Sequence, residues 1–85
     1  MAVRIVYFAW VREKTGKAEE TAELPASVAT VADVVAWLKG QGAEYEEAFA
    51  RAEVIRAAID HKHVQPTASV AGAREIAFFP PVTGG

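Results

Sequence analysis

The sequence predicts an α+β domain: a small mixed sheet of four to five strands with one main helix packed across one face. Three observations carry this expectation. Segments with two-residue apolar alternation, "VRIVYFA" and "EIAFFP", stand near the two ends of the chain. A segment with helical apolar spacing, "TVADVVAWLKG", stands between them. The chain of 85 residues has room for one domain with a thin core.

Val3 to Ala9 reads as the first strand, with Val3, Ile5 and Tyr7 on one face and Arg4, Val6 and Phe8 on the other. "WVREKTGK" breaks the alternation and reads as a short helical turn closed by Gly16. Ala18 to Leu24 alternates again and predicts an edge-like strand stopped by Pro25. In the main helix Thr30 is the cap and Asp33, three residues on, completes a capping box. Val31, Val34, Val35 and Leu38 recur on its buried side, and Gly40 ends the run. "EYEEAFARA" predicts a shorter helix with Tyr45, Ala48, Phe49 and Ala52 on one side. Val54 to Asp60 reads as a strand, "DHKH" as its turn, and "HVQP" as an extension of the hairpin. Glu75 to Pro80 is the last strand, with Ile76 and Phe78 facing one way and Ala77 and Phe79 the other.

Composition excludes several classes of chemistry. There is no cysteine, so disulfides, thiolate metal sites and cysteine nucleophiles are ruled out within this chain. A net charge of -2 without a Lys/Arg cluster argues against a nucleic-acid partner. The apolar run "IVYFAWV" is far short of a membrane span and has no basic leader. A cytoplasmic protein with no membrane partner is expected.

The stretch "FFPPVTGG" carries the functional expectation. Pro80 and Pro81 donate no backbone hydrogen bond, so they end the pairing of the last strand and stiffen the chain beyond it. Val82, Thr83, Gly84 and Gly85 would project from a domain spanning 1–81 as a flexible tail over 82–85, reaching roughly 14 Å when extended. A terminal glycine carboxylate is unhindered, and adenylation would make it a mixed anhydride open to a sulfur or amine nucleophile. Strand parity adds a shoulder: if the first and last strands are neighbours, Val6, Phe8, Ala77 and Phe79 form an apolar patch at the root of the tail. Such a patch suits a protein partner.

"FAWVRE", "AAIDHKHV" and "EIAFFPPVTGG" resemble the MoaD family of ubiquitin-like sulfur carriers, the small subunits of molybdopterin synthase. The resemblance implies the β-grasp fold. It implies that Gly85 passes through an acyl-adenylate to a thiocarboxylate, with Gly84 as its slim neighbour. An adenylating enzyme resembling ubiquitin-activating enzymes would use ATP, while this chain binds no cofactor and is not catalytic alone. The large subunit would accept the tail over Pro80, Pro81, Val82 and Thr83 in a heterotetramer and pass sulfur to cyclic pyranopterin monophosphate. Phe8 and Phe79 match apolar interface positions, and Arg12 matches a recurrent arginine without an assigned role. His63 stands where the family has an apolar contact, and "AGAREI" replaces the family's acidic turn.

The remaining candidates carry less. His61 and His63 form an H-x-H pair without a convincing third ligand, so no metal site is expected. Glu44, Glu46 and Glu47 read as a solvated helix face. A thiamine-type sulfur carrier, a ubiquitin-like protein modifier and an interaction module with an idle tail are the alternative functions.

Overall fold

The computed structural model describes residues 1–81. The expected tail boundary at 82 therefore lies outside the described residues. The elements run β1 (Ala2–Tyr7), α1 (Ala9–Thr15), β2 (Glu19–Glu23), α2 (Val31–Lys39), α3 (Ala43–Ala48), a 3₁₀ turn (Ala52–Val54), β3 (Arg56–Ile59), β4 (Lys62–Val64) and β5 (Glu75–Phe79). The five strands form one sheet in the order β2-β1-β5-β3-β4. β1 and β5 pair in parallel at its centre, and the other pairs are antiparallel. This is the mixed sheet the sequence predicts.

The core lies on one face of the sheet. Val3, Ile5 and Tyr7 of β1 and Ile76 and Phe78 of β5 join Val31, Val34 and Leu38 of α2 in a single buried cluster. Phe49, just past α3, meets Phe78 edge-on with ring centroids 5.2 Å apart. Each fully buried side chain of this size contributes roughly 1.5–3 kcal/mol. α2 is secured as its sequence suggests: Asp33 N–H donates to Thr30 Oγ1 at 3.2 Å, and Thr30 N–H donates to the Asp33 carboxylate at 3.1 Å. The next free N–H groups of its first turn, those of Val31 and Ala32, donate to the carbonyls of Ala68 and Pro66. The long β4–β5 connection is thereby tied to the helix.

Several boundaries differ from the sequence expectation. β1 stops at Tyr7 because Phe8 caps α1, whose first residue, Ala9, has φ 51°. The expected helical turn is a full helix, packed on α3 and closed by Gly16 at φ 77°, with its N–H on the Arg12 carbonyl. α3 ends at Ala48, so Ala52 falls in the 3₁₀ turn instead of continuing the apolar side. That turn takes up Val54 and shortens β3. The hairpin turn is Asp60–His61, not "DHKH". Consecutive φ values of 48° and 72° match a two-residue turn of type I′, so Lys62 and His63 belong to β4. The Asp60 carboxylate accepts the N–H groups of Arg74 and Glu75 at 3.1 and 3.0 Å, which pins the hairpin to the start of β5.

Candidate functional site

Register and parity build the sheet face turned away from the helices. One row crosses all five strands: Glu19, Val6, Ala77, Ala58 and His63 are successive partners. Beside it, Phe79 pairs with Arg56, and Phe8 continues the outward parity of β1. On the opposite side, Arg4 pairs with both Thr21 and Glu75. The expected patch of Val6, Phe8, Ala77 and Phe79 is therefore assembled as the parity argument required.

The centre of this face is a depression of about 570 Å³. Ala58 and Ala77 are only 6% and 7% exposed, although neither belongs to the core cluster. They are small residues sunk between larger neighbours. Phe8, 49% exposed, and Phe79 wall the end nearest Pro80 and Pro81. His63 extends that wall, its ring 5.1 Å from the ring of Phe79. The far end is charged: Arg4 bridges Glu19 at 3.3 Å and is also hydrogen-bonded to Glu75. His61 Nδ1 approaches Glu75 at 3.7 Å.

The diproline continues the chain directly from this wall. Phe8 N–H donates to the Phe78 carbonyl at 3.1 Å, close to where the ladder ends. Pro80 and Pro81 are both half-buried. Without N–H groups they cannot extend the sheet. The predicted site residues Val82, Thr83, Gly84 and Gly85 lie outside the described residues. Arg12 is exposed on α1 and does not line the depression. Among the described residues no group of three or more His, Asp or Glu side chains is placed to hold a metal ion. No described helix is long and apolar enough to cross a membrane.

Behind the face sits a polar network that sequence reasoning missed. One carboxylate oxygen of Glu20 accepts the phenols of Tyr7 at 2.7 Å and Tyr45 at 2.6 Å. Lys17 Nζ donates to the Tyr45 hydroxyl and to the other oxygen of Glu20. Burial, followed by the hydrogen bond to Glu20, drives the Tyr7 phenol far above the ordinary tyrosine range. For Glu20, burial opposes the charged form, but the Tyr45 and Tyr7 hydrogen bonds and the Lys17 charge outweigh it and hold its carboxyl below the usual value. The signal in the sequence was Tyr7 on the apolar face of β1, because a buried phenol needs a partner. The network ties β1, β2 and α3 together and lies off the outer face.

A second cavity, of about 560 Å³, opens between α2 and the β3–β4 edge over Val31, Val35, Ile55, Val64 and Phe78. Its lining is mainly aliphatic, and Glu53, Arg56 and His63 also border it. The outer face is the better functional candidate because it joins an apolar surface to the diproline from which the sequence-predicted tail continues.

The model of the ThiS family matches residues 5–85. No curated protein matches the chain. Among solved structures the chain is similar to SAMP1 from Haloferax volcanii, with a TM-score of 0.73, 22% identity and full coverage of both chains. It is similar to the Haloferax volcanii HVO 2177 protein, with a TM-score of 0.74, 21% identity and coverage of 100% of this chain and 87% of that one. It also resembles a Pyrococcus furiosus protein assigned as molybdopterin converting factor, subunit 1, with a TM-score of 0.65, 22% identity and coverage of 96% and 99%. These likenesses show the ubiquitin-like β-grasp fold.

Proposed function

The chain belongs to the ThiS family, and from that premise we propose that it is a sulfur carrier for molybdenum cofactor biosynthesis, the small subunit of a molybdopterin synthase. The observation that carries this reading is the union of the outer apolar face with the diproline root. A partner that covers Phe8, Phe79 and His63 is placed to receive the chain beyond Pro81.

The chemistry resides in Gly85. An adenylating partner joins its carboxylate to the α-phosphate of ATP and releases pyrophosphate. A persulfide donor attacks the acyl carbon and displaces AMP, and a thiol reductant then cleaves the resulting acyl disulfide to leave the thiocarboxylate. In the large subunit the thiocarboxylate sulfur attacks a carbon of cyclic pyranopterin monophosphate and displaces the oxygen it bears. Water then hydrolyses the resulting thioester, which returns the Gly85 carboxylate and leaves the sulfur on the pterin. This chain contributes docking, reach and an unhindered end, while the catalytic groups belong to its partners.

The test is intact mass after incubation with the adenylating enzyme, ATP and a sulfur donor. The chain gains the mass difference between sulfur and oxygen, and deletion of Gly85 abolishes the gain without changing the melting curve. A Gly85-deleted chain that still supports molybdopterin formation overturns the reading. Complementation of molybdopterin-deficient and thiamine-deficient cells separates this pathway from the thiamine type. The fold likeness to the Haloferax volcanii small archaeal modifier protein 1, with a TM-score of 0.72 and 21% identity, supports a second reading as a protein modifier, in which a lysine amine takes the place of sulfur. High-mass conjugates in cell extract would support that reading.

A further inference from the structure

The outer face leaves one cation out of its internal ion pairs. Its carboxylates are each met by a cation within the molecule: Glu19 and Glu75 by Arg4, and Glu23 by the N-terminal amine at 3.3 Å. Arg56 is different. It is exposed, it pairs with Phe79 in the ladder, and it makes no side-chain hydrogen bond or ion pair among the described residues. The nearest acid along the chain, Glu53, is met by Arg51 at 3.7 Å. Among the described residues Arg56 is thus an unpaired cation at the strand position opposite Phe79, directed outward by parity, and it also borders the cavity between α2 and the β3–β4 edge.

A partner that covers Phe8 and Phe79 strips water from Arg56 as well. A guanidinium desolvated without an acceptor is costly, so the covering surface must supply one. A carboxylate suits it best, because the planar fork of arginine binds that group in two parallel hydrogen bonds. We propose that Arg56 is the electrostatic anchor of the docking face, and that the adenylating enzyme presents an aspartate or glutamate to it beside the tail. This rests on the sulfur-carrier reading. It adds the sign and position of the partner's charge: apolar opposite Phe8, Phe79 and the alanine depression, and acidic opposite Arg56.

The experiment measures sulfur loading of Gly85 by intact mass as a function of chain concentration, with the adenylating enzyme from the same cell, ATP and a sulfur donor. Arg56→Glu raises the KM for the chain about tenfold or more with kcat unchanged, as expected for a close charge pair at an interface. Arg56→Gln, which keeps the bulk without reversing the charge, gives a smaller rise and a shallower salt dependence. Arg74→Glu, a charge reversal at the opposite end of β5, stays within about twofold. A KM within about twofold of the unaltered chain for Arg56→Glu overturns the inference. If Gly85 deletion still abolishes loading in the same assay, the carrier reading survives that failure. An unaltered chain that takes up no sulfur sinks both.

Discussion

His63 of β4 lies against Phe79 of β5, two strands away, with ring centroids 5.1 Å apart and ring planes tilted by 43°. The contact is diagonal and passes over Ala58, the direct partner of His63. A larger residue at 58 would keep the two rings apart. In the MoaD resemblance this position carries an apolar contact residue, and here an imidazole covers the same ring. His63→Leu is expected to load sulfur within about twofold of the unaltered chain. His63→Ala removes part of the wall and is expected to raise the KM for the chain about five- to tenfold. Loading kinetics decide this, and equal behaviour of the Ala and Leu variants would remove His63 from the docking face.

If the outer face docks a partner as proposed, filling the depression over Ala58 and Ala77 separates docking from folding. Ala77→Leu directs its side chain into the depression on the outer face, away from the core cluster. Its effect on stability should stay within about 1 kcal/mol. Phe8→Ser removes an exposed ring and is expected to cost similarly little. Both variants should fold and melt normally yet load poorly. A variant that melts far below the unaltered chain would show instead that the residue supports the core.

The sequence made this face legible in part. Outward placement of Val6, Phe8, Ala77 and Phe79 depends only on the period of two along a strand, which alternation reveals. Ala58, Arg56 and the His63–Phe79 contact depend on which strands are neighbours. The sheet order β2-β1-β5-β3-β4 is set by long-range packing and leaves no local mark. The capping box of α2 was readable because all its atoms lie within four residues. The end of α3 was not: the apolar spacing runs on to Ala52, but the backbone leaves the helix at Phe49, with φ -107° and ψ 18°. Glu20 was invisible for the same long-range reason, since its acceptor role needs Tyr45 from α3.

Glu20 gives the protein an acid limit. Its folded carboxyl titrates below the ordinary value of 4.5 because the Tyr45 and Tyr7 hydrogen bonds and the Lys17 charge outweigh burial. A group with a depressed folded value adds stability above its unfolded value and loses it as pH falls through the folded value. Asp33, lowered by the N–H groups of Ala29 and Thr30, acts in the same direction. Stability should be flat near neutrality and fall as pH drops below about 4.5. Glu20→Gln keeps one acceptor oxygen and loses the charge. It should cost about 1–2 kcal/mol at neutral pH and flatten the acid slope. Urea unfolding at several pH values measures both effects, and an unchanged slope would assign the acid limit elsewhere.

The β3–β4 turn holds a strained residue that can be relieved. His61 adopts φ 72°, a left-handed conformation that costs a residue with a Cβ about 1–2 kcal/mol. The second central position of a type I′ turn is the one glycine fills most readily. The imidazole gives little in return, because its contact with Glu75 is 3.7 Å long and the side chain is 85% exposed. His61→Gly therefore removes strain and loses almost no contact, while glycine's greater freedom in the unfolded chain offsets part of the gain. The net expectation is a stabilisation of about 0.5–1 kcal/mol, a rise in melting temperature of a few degrees for a domain of this size. His61→Val should act the other way, because a β-branched side chain resists positive φ. Asp60→Ala should also destabilise, since it leaves the Arg74 and Glu75 N–H groups without their acceptor. Thermal melts of the three variants give an ordering of Gly above the unaltered chain, with Val and Ala below it. A His61→Gly variant that melts lower would mean that the imidazole contact outweighs the backbone strain.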